Sequence, residues 1–447
     1  MTQPAFSGNP LAIIRSRPYA GLLILGALLG VPLSAGAYFF LWLVGKLQTW
    51  IFVNLPSKFG LGTNPTWWPI VPLAIAGLLV GAIIRYLPGR GGHSPADGFK
   101  TGPLATPPML PGVFLAALVS LSLGAVVGPE APLIALGGGL ALFAVGLLKR
   151  DLPRPAMMVI GATGSFAAVS ALLGSPLLGA FLLMEAIGVS GGVGTLVLMP
   201  GLLASGIGAL VFLGLNSLTG LGSVSLALPA LPRVPDPTVG EFVWAIVIGV
   251  IAAVLGTAIR WAALAVRPTV ERRLVLLTPV AGVAVALLAV GYRLSTGKPT
   301  TDVLFSGQSQ LPDLVSGRAG YAWGALAVLL ICKSVAYSIS LAAFRGGPVF
   351  PAMFIGTVLG LLATHIGGVA PAAAIGIGVG AMSASMLRLP LTSVLLATLL
   401  LGSNGLTVMP LVIVVVVVSY MVSIWLGPAP APVGEPATRT EEPQPST

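Results

Sequence analysis

Charge is what this chain has least of. Only 8% of its 447 residues are Asp, Glu, Lys or Arg, where a soluble domain carries about 25%. Apolar residues make up 56% and the mean hydropathy is +1.01. A water-soluble domain is thereby excluded, and an integral membrane protein is implied. Histidine and cysteine are almost absent, at 2 and 1. No zinc site can be assembled from those ligands alone, and a disulfide framework is excluded. The one cysteine, Cys332, lies in an apolar run. There is no Gly-x-Ser-x-Gly elbow, no His-Glu-x-x-His and no Walker loop, so neither an enzyme nor a metal or cofactor is expected. The net charge of +10 is spread as small clusters between apolar segments, without the basic stripe that nucleic acid requires. Apolar and polar residues do not alternate, which argues against a β-barrel. Residues 1–17 lack an h-region and the first apolar run is too long for one, so no cleavable signal peptide is expected.

What is abundant is apolar sequence broken by 59 glycines and 39 prolines. About fourteen apolar segments are long enough to enter a bilayer. Gly21–Val44, Val193–Leu215 and Phe242–Val266 reach the ~20 residues of a full crossing. Pro176–Ile187, Pro371–Ser383 and Leu389–Leu401 do not, and such short, interrupted segments suggest tilted or broken helices aimed at a central site. The expected architecture is all-α and polytopic. Its parts are a cytoplasmic segment 1–17, a first transmembrane half 18–215, a linker 216–240, a second half 241–427 and a disordered cytoplasmic tail 428–447, rich in Pro, Thr, Ser and Glu. Arg15, Arg17, Arg85, Arg90, Lys100, Lys149, Arg150, Arg154, Arg267, Arg272 and Arg273 flank the spans. The excess of basic residues on cytoplasmic loops places all of these inside, with both termini. Each half has a Gly/Pro turn leading into a Gly-rich helix, Gly128–Pro132 and Gly346–Pro351. These would form an inverted repeat if the halves enter from opposite sides.

One carboxylate stands out. Glu130, in Gly128-Pro129-Glu130-Ala131-Pro132, lies between the apolar stretches Val113–Val127 and Leu133–Leu148. An ionisable group at membrane depth is costly and usually faces a polar path. The helix it opens has N-terminal amides that favour an anion. The bland alternative is a solvated carboxylate in an interfacial loop.

Four stretches together resemble the CLC family of chloride channels and chloride/proton antiporters. Gly128–Pro132 resembles that family's G-[KR]-E-G-P. Gly174-Ser175-Pro176-Leu177-Leu178-Gly179 with Leu183-Met184-Glu185 resembles N-A-P-L-A-G…E. Lys333 with Gly346-Gly347-Pro348-Val349-Phe350-Pro351 resembles K…G-G-x-F-x-P, and Arg388-Leu389-Pro390-Leu391-Thr392 resembles R-x-P-L-T. The resemblance covers nearly all of 10–427. It implies a fold of two inverted halves with many tilted and broken helices, a homodimer with one pore per subunit, and chloride permeation in the cell membrane. Glu130 would be the gate: ionised, it occupies the outer anion site; protonated or displaced, it lets the anion pass. Backbone amides near Ala131, Val349 and Phe350 would line the site.

The departures matter as much. Gly91-Gly92-His93-Ser94-Pro95 stands where the family has G-S-G-I-P. Simple alignment puts Gly92 at the anion-contacting serine, with Ser94 two positions late. Pro348 falls where an N–H should face chloride, and proline has none, so Val349 and Phe350 become the donors. No tyrosine matches the family's inner gate. Antiporters of the family often carry a second glutamate, whereas here the pair reads Glu185-Ala186. Glu185 is open both to an internal proton role and to a structural hydrogen bond with backbone. Alanine cannot carry a proton, which favours channel-like permeation. A chloride/proton antiporter, or a carrier of another anion such as fluoride or nitrate, is the alternative. Lys333 is expected to snorkel or pair, and His93 to be a loop histidine.

Overall fold

The structure is a computed structural model. It describes residues 10–62, 65–99, 105–148, 153–188, 191–220, 228, 233–316 and 320–427. Lys100, Lys149, Arg150 and the whole segment 428–447 therefore lie outside the described residues. Seventeen α-helices occur among the described residues. The first nine are α1 (Pro10–Ile14), α2 (Arg17–Thr49), α3 (Leu55–Lys58), α4 (Ile70–Tyr86), α5 (Leu110–Ser122), α6 (Glu130–Leu148), α7 (Arg154–Leu173), α8 (Pro176–Ile187) and α9 (Gly191–Thr219). The remainder are α10 (Val239–Arg272), α11 (Leu274–Thr296), α12 (Leu311–Val315), α13 (Trp323–Ala343), α14 (Val349–Ile366), α15 (Pro371–Leu387), α16 (Pro390–Leu400) and α17 (Gly405–Trp425). Eight helical stretches are long and apolar enough to cross a membrane, and six more are apolar but shorter. Within the stretch 216–240, α9 continues to Thr219 and α10 starts at Val239.

Why the short helices stop where they do is local chemistry. Ser175 caps α8 by accepting from the Leu178 amide, Pro176 sits at the first position, and Gly188 ends the helix in the left-handed region. Such a start and stop cost little and need no further sequence. At α10 a capping box joins Thr238 and Glu241. The other carboxylate oxygen of Glu241 accepts from the Ala370 amide, 3.2 Å away, so one buried acid serves the starts of both α10 and α15.

The two halves share a pattern at one constant residue offset. Gly128, Pro129, Pro132 and Gly137 correspond to Gly347, Pro348, Pro351 and Gly356. The later glycine of each set faces a neighbouring helix. A Cβ on Gly137 would strike the Gly164 carbonyl of α7, and one on Gly356 the Gly378 carbonyl of α15. Small residues let helices approach closely where lipid gives no hydrophobic drive. Helices α14 and α15 are buried along almost their whole length and form the centre of the molecule.

The turns before α6 and α14 cross each other. Gly128 N–H donates to Gly347 O at 2.7 Å, and Gly347 N–H donates to Gly128 O at 2.5 Å. A second reciprocal pair frames the first. The Val126 amide donates to Ser340 Oγ at 3.1 Å, and the Arg345 amide to Ser120 Oγ at 3.2 Å. Each half thus satisfies the other's buried turn, as non-helical backbone at membrane depth demands.

Candidate functional site

Glu130 lies at this crossing. It is the first residue of α6 and is fully buried, so the reading as a solvated loop carboxylate fails. Its Oε1 accepts from the Phe350 amide at 2.8 Å. The Val349 amide and its own amide also face the carboxylate. Its Oε2 is buried without a hydrogen-bond partner. One acid, opening the helix of one half, is therefore held by the first free amides of the helix from the other half.

The geometry explains the choice of amides. Pro348 is the N-cap of α14 and contributes no N–H. The first donors of α14 are then Val349 and Phe350, both fully buried. Gly347 is needed because a Cβ there would collide with the Glu130 carboxylate and crowd the Ala131 amide. That proximity sets Ala131, Val349 and Phe350 around one point. Tyr337, one helical turn beyond Lys333 on α13, donates to Pro348 O at 2.9 Å. Its hydroxyl fixes the turn that presents the amides.

Gly92 and Ser94 lie on the loop after α4. The Gly92 amide is already engaged, donating to Gly89 O at 2.9 Å. Ser94 Oγ is buried and has no partner. Of the two, Ser94 keeps a free donor. His93 is exposed.

Glu185, near the C-terminal end of α8, reaches across to the start of α16. Oε1 accepts from the Leu391 amide at 2.9 Å, and Oε2 from the Thr392 amide and hydroxyl at 2.8 and 2.7 Å. It is a helix cap supplied by the opposite half. Lys333 differs from expectation. It does not snorkel, being fully buried, and it has no carboxylate within ion-pair distance among the described residues. Its Nζ donates to the carbonyls of Asp302, Leu304 and Phe305 at 3.0, 2.9 and 3.1 Å, above the Phe354 ring of α14. The Asp302 carboxylate accepts from Tyr292 and Tyr321 instead. Burial raises its carboxyl above the usual range, against the lowering pull of the two hydroxyls and Lys333. Sequence reasoning missed these carbonyls because the turn that gathers them depends on Phe305 at φ 58.

Two halves that meet at crossed turns, with an acid resting on opposing helix-end amides, fit a membrane protein with an anion pathway. Comparison agrees with this. The family model described as voltage gated chloride channel matches residues 96–424, and the chain belongs to that family, whose activity is anion permeation. Curated relatives include the putative ion-transport protein YfeO of Escherichia fergusonii, 28% identical over 354 residues, covering 77% of this chain and 80% of the relative. The protein of the same name from Escherichia coli O7:K1 is 29% identical over 360 residues, with the same coverage. Among solved structures, a slow cyanobacterial Cl−/H+ antiporter has a TM-score of 0.70 at 20% identity, covering 92% of this chain and 95% of that one. A CLC-type fluoride/proton antiporter gives 0.69 at 20% identity, with 90% and 95% coverage. At those identities the likeness to the two structures is one of fold.

Proposed function

We propose that the protein conducts chloride passively through a path gated by the Glu130 carboxylate. The observation that carries this is the hydrogen bond from the Phe350 amide to Glu130 Oε1. A carboxylate there holds the donors that a dehydrated halide needs. Backbone amides at helix starts favour an anion without the fixed cation that would trap it. Ionised Glu130 and chloride compete for one place, so protonating or displacing the acid frees the path. Ala131, Val349 and Phe350 supply the amides, and Ser94, with its free hydroxyl, is a second contact deeper along the route.

Passive conduction is favoured by the state of Glu185. Its oxygens accept three hydrogen bonds from the start of α16, and Ala186 follows in place of a second acid. No carboxylate is left free on α8 to receive protons. The alternative, chloride/proton antiport, gains from Glu130 Oε2, which is buried without a partner and could take a proton inside the protein. By the charge of the flanking loops, the Arg267, Arg272 and Arg273 end faces the cytoplasm, as do both termini, in the cell membrane. Pairing with a second copy of the chain follows from the family.

Reconstitution into liposomes, with chloride and proton electrodes read together, tests the proposal. Chloride efflux without uphill proton movement supports it. Stoichiometric proton pumping under a chloride gradient selects antiport, and no anion flux from either wild type or Glu130→Gln rejects both.

A further inference from the structure

Two basic stretches far apart in the sequence meet at one hollow. Arg15 and Arg17 flank Ser16 where α2 begins, and Lys149-Arg150-Asp151-Leu152-Pro153-Arg154 runs into the start of α7. Ser16, Pro18 and Pro153 all border a cavity of about 190 Å³ between α1, α2, α7 and α9. The rest of its wall is Ile13, Tyr19, Leu22, Ala156, Val159 and Leu196.

The wall is apolar and firmly built. Ser16 Oγ donates to Ile13 O at 2.6 Å and accepts from the Tyr19 amide at 3.3 Å, which fixes the corner between α1 and α2. The Tyr19 hydroxyl donates to Leu196 O at 3.2 Å and ties α2 to α9. Both hydroxyls of the lining therefore serve backbone, and every other lining side chain is hydrocarbon. Such a hollow gives water few partners and suits an apolar occupant. The rim is the reverse. Arg15 and Arg17 are exposed and have no carboxylate within 4.0 Å among the described residues. Over 149–154 three basic residues stand against the single acid Asp151. Two helices also begin here, α2 at Arg17 and α7 at Arg154, and helix starts favour negative charge.

The excess of basic residues assigns this end to the cytoplasmic side, and basic pockets between membrane helices on that side suit anionic lipid headgroups. An apolar slot under a cationic rim matches one molecule that a bilayer always supplies. We propose that the cavity between α1, α2, α7 and α9 holds one acyl chain of an anionic phospholipid, with the headgroup phosphate at Arg15, Arg17 and Arg154. The chain replaces the missing apolar packing between α1 and α7, and the phosphate meets the charge of two segments that have no acid of their own to balance it. A zwitterionic lipid fills the same slot but gains less at the rim, so the site selects by headgroup charge. The inference stands independently of the anion path, and its readout is lipid binding rather than flux.

The test is a titration of the purified, delipidated protein in detergent with phosphatidylglycerol or phosphatidylcholine of the same chains, bound lipid being counted by native mass spectrometry. Wild type should take its first phosphatidylglycerol about tenfold more tightly than its first phosphatidylcholine. Arg15→Gln/Arg17→Gln should bring the two lipids to similar affinity by weakening phosphatidylglycerol alone. Ala156→Phe, which fills the hollow, should weaken both. Lys58→Gln, at an exposed lysine ending α3, should keep the wild-type preference. Should Ala156→Phe fail to give monodisperse protein, Ile13→Phe fills the same space from the α1 wall. Equal first affinities for the two lipids in wild type overturn the site. So does a preference that survives in the double arginine variant, or a first phosphatidylglycerol bound as tightly by the filled variant as by wild type.

Discussion

The turn before α6 and the turn before α14 are built on one frame and perform opposite tasks. Both read Gly-Pro-x-x-Pro, both open a helix at the residue after the first proline, and both close on a glycine that packs against the next helix. In the first half the opening residue is Glu130. In the second it is Val349. The first therefore offers an acid and the second offers amides to receive it. A single change of residue type in a duplicated frame divides the labour between plug and socket, and the reciprocal bonds between Gly128 and Gly347 keep the two in register.

Making the halves alike is the most severe way to break this comparison. Val349→Glu would place a second acid beside Glu130 in a buried site. Two carboxylates there cannot both ionise, and an unpaired buried charge costs about 3–5 kcal/mol. Loss of folded protein or of chloride flux is expected, read by size-exclusion profile and liposome efflux. Next in size is Glu130→Gln, which keeps the shape and removes the charge. Chloride efflux should rise about tenfold or more, the equivalent of ~1.4 kcal/mol, and should no longer vary with pH. A pH dependence identical to wild type would count against the gate. A structure in bromide sharpens the same point: anomalous density is expected near the Val349 and Phe350 nitrogens, and density elsewhere rejects this donor pair.

The smallest expected effects come from the framing serines. Ser120→Ala and Ser340→Ala each remove one bond to the opposite turn. Each should cost about 1 kcal/mol, and the two costs should be similar if the halves are mechanically equivalent. Thermal denaturation in detergent, following fluorescence, reads both. A large difference between them would show that one half leans on the other.

Much of this was legible in the chain. The breaks at Pro176, Pro371 and Pro390 mark real helix starts because proline at the first turn is a local signal. The isolation of Glu130 among apolar residues pointed to its burial for the same reason: depth in the membrane needs only the run of sequence around it. The missing N–H of Pro348 moved the donors to Val349 and Phe350, where the structure has them facing the acid. The shared Gly-Pro-x-x-Pro-x-x-x-x-Gly frame was also present in the letters. What could not be read are the partners that arrive from far along the chain. The acceptors of Lys333 exist only once residues 302–305 turn, and the α16 amides meet Glu185 only when the halves dock.

The crossed turns have one further consequence. The two halves grip each other through backbone and side chains at Gly128, Val126 and Glu185, none of which involves the covalent stretch between α9 and α10. Severing the polypeptide in that stretch and co-expressing the fragments should still yield a working assembly. The halves would then behave as two subunits that evolution happens to translate in one piece.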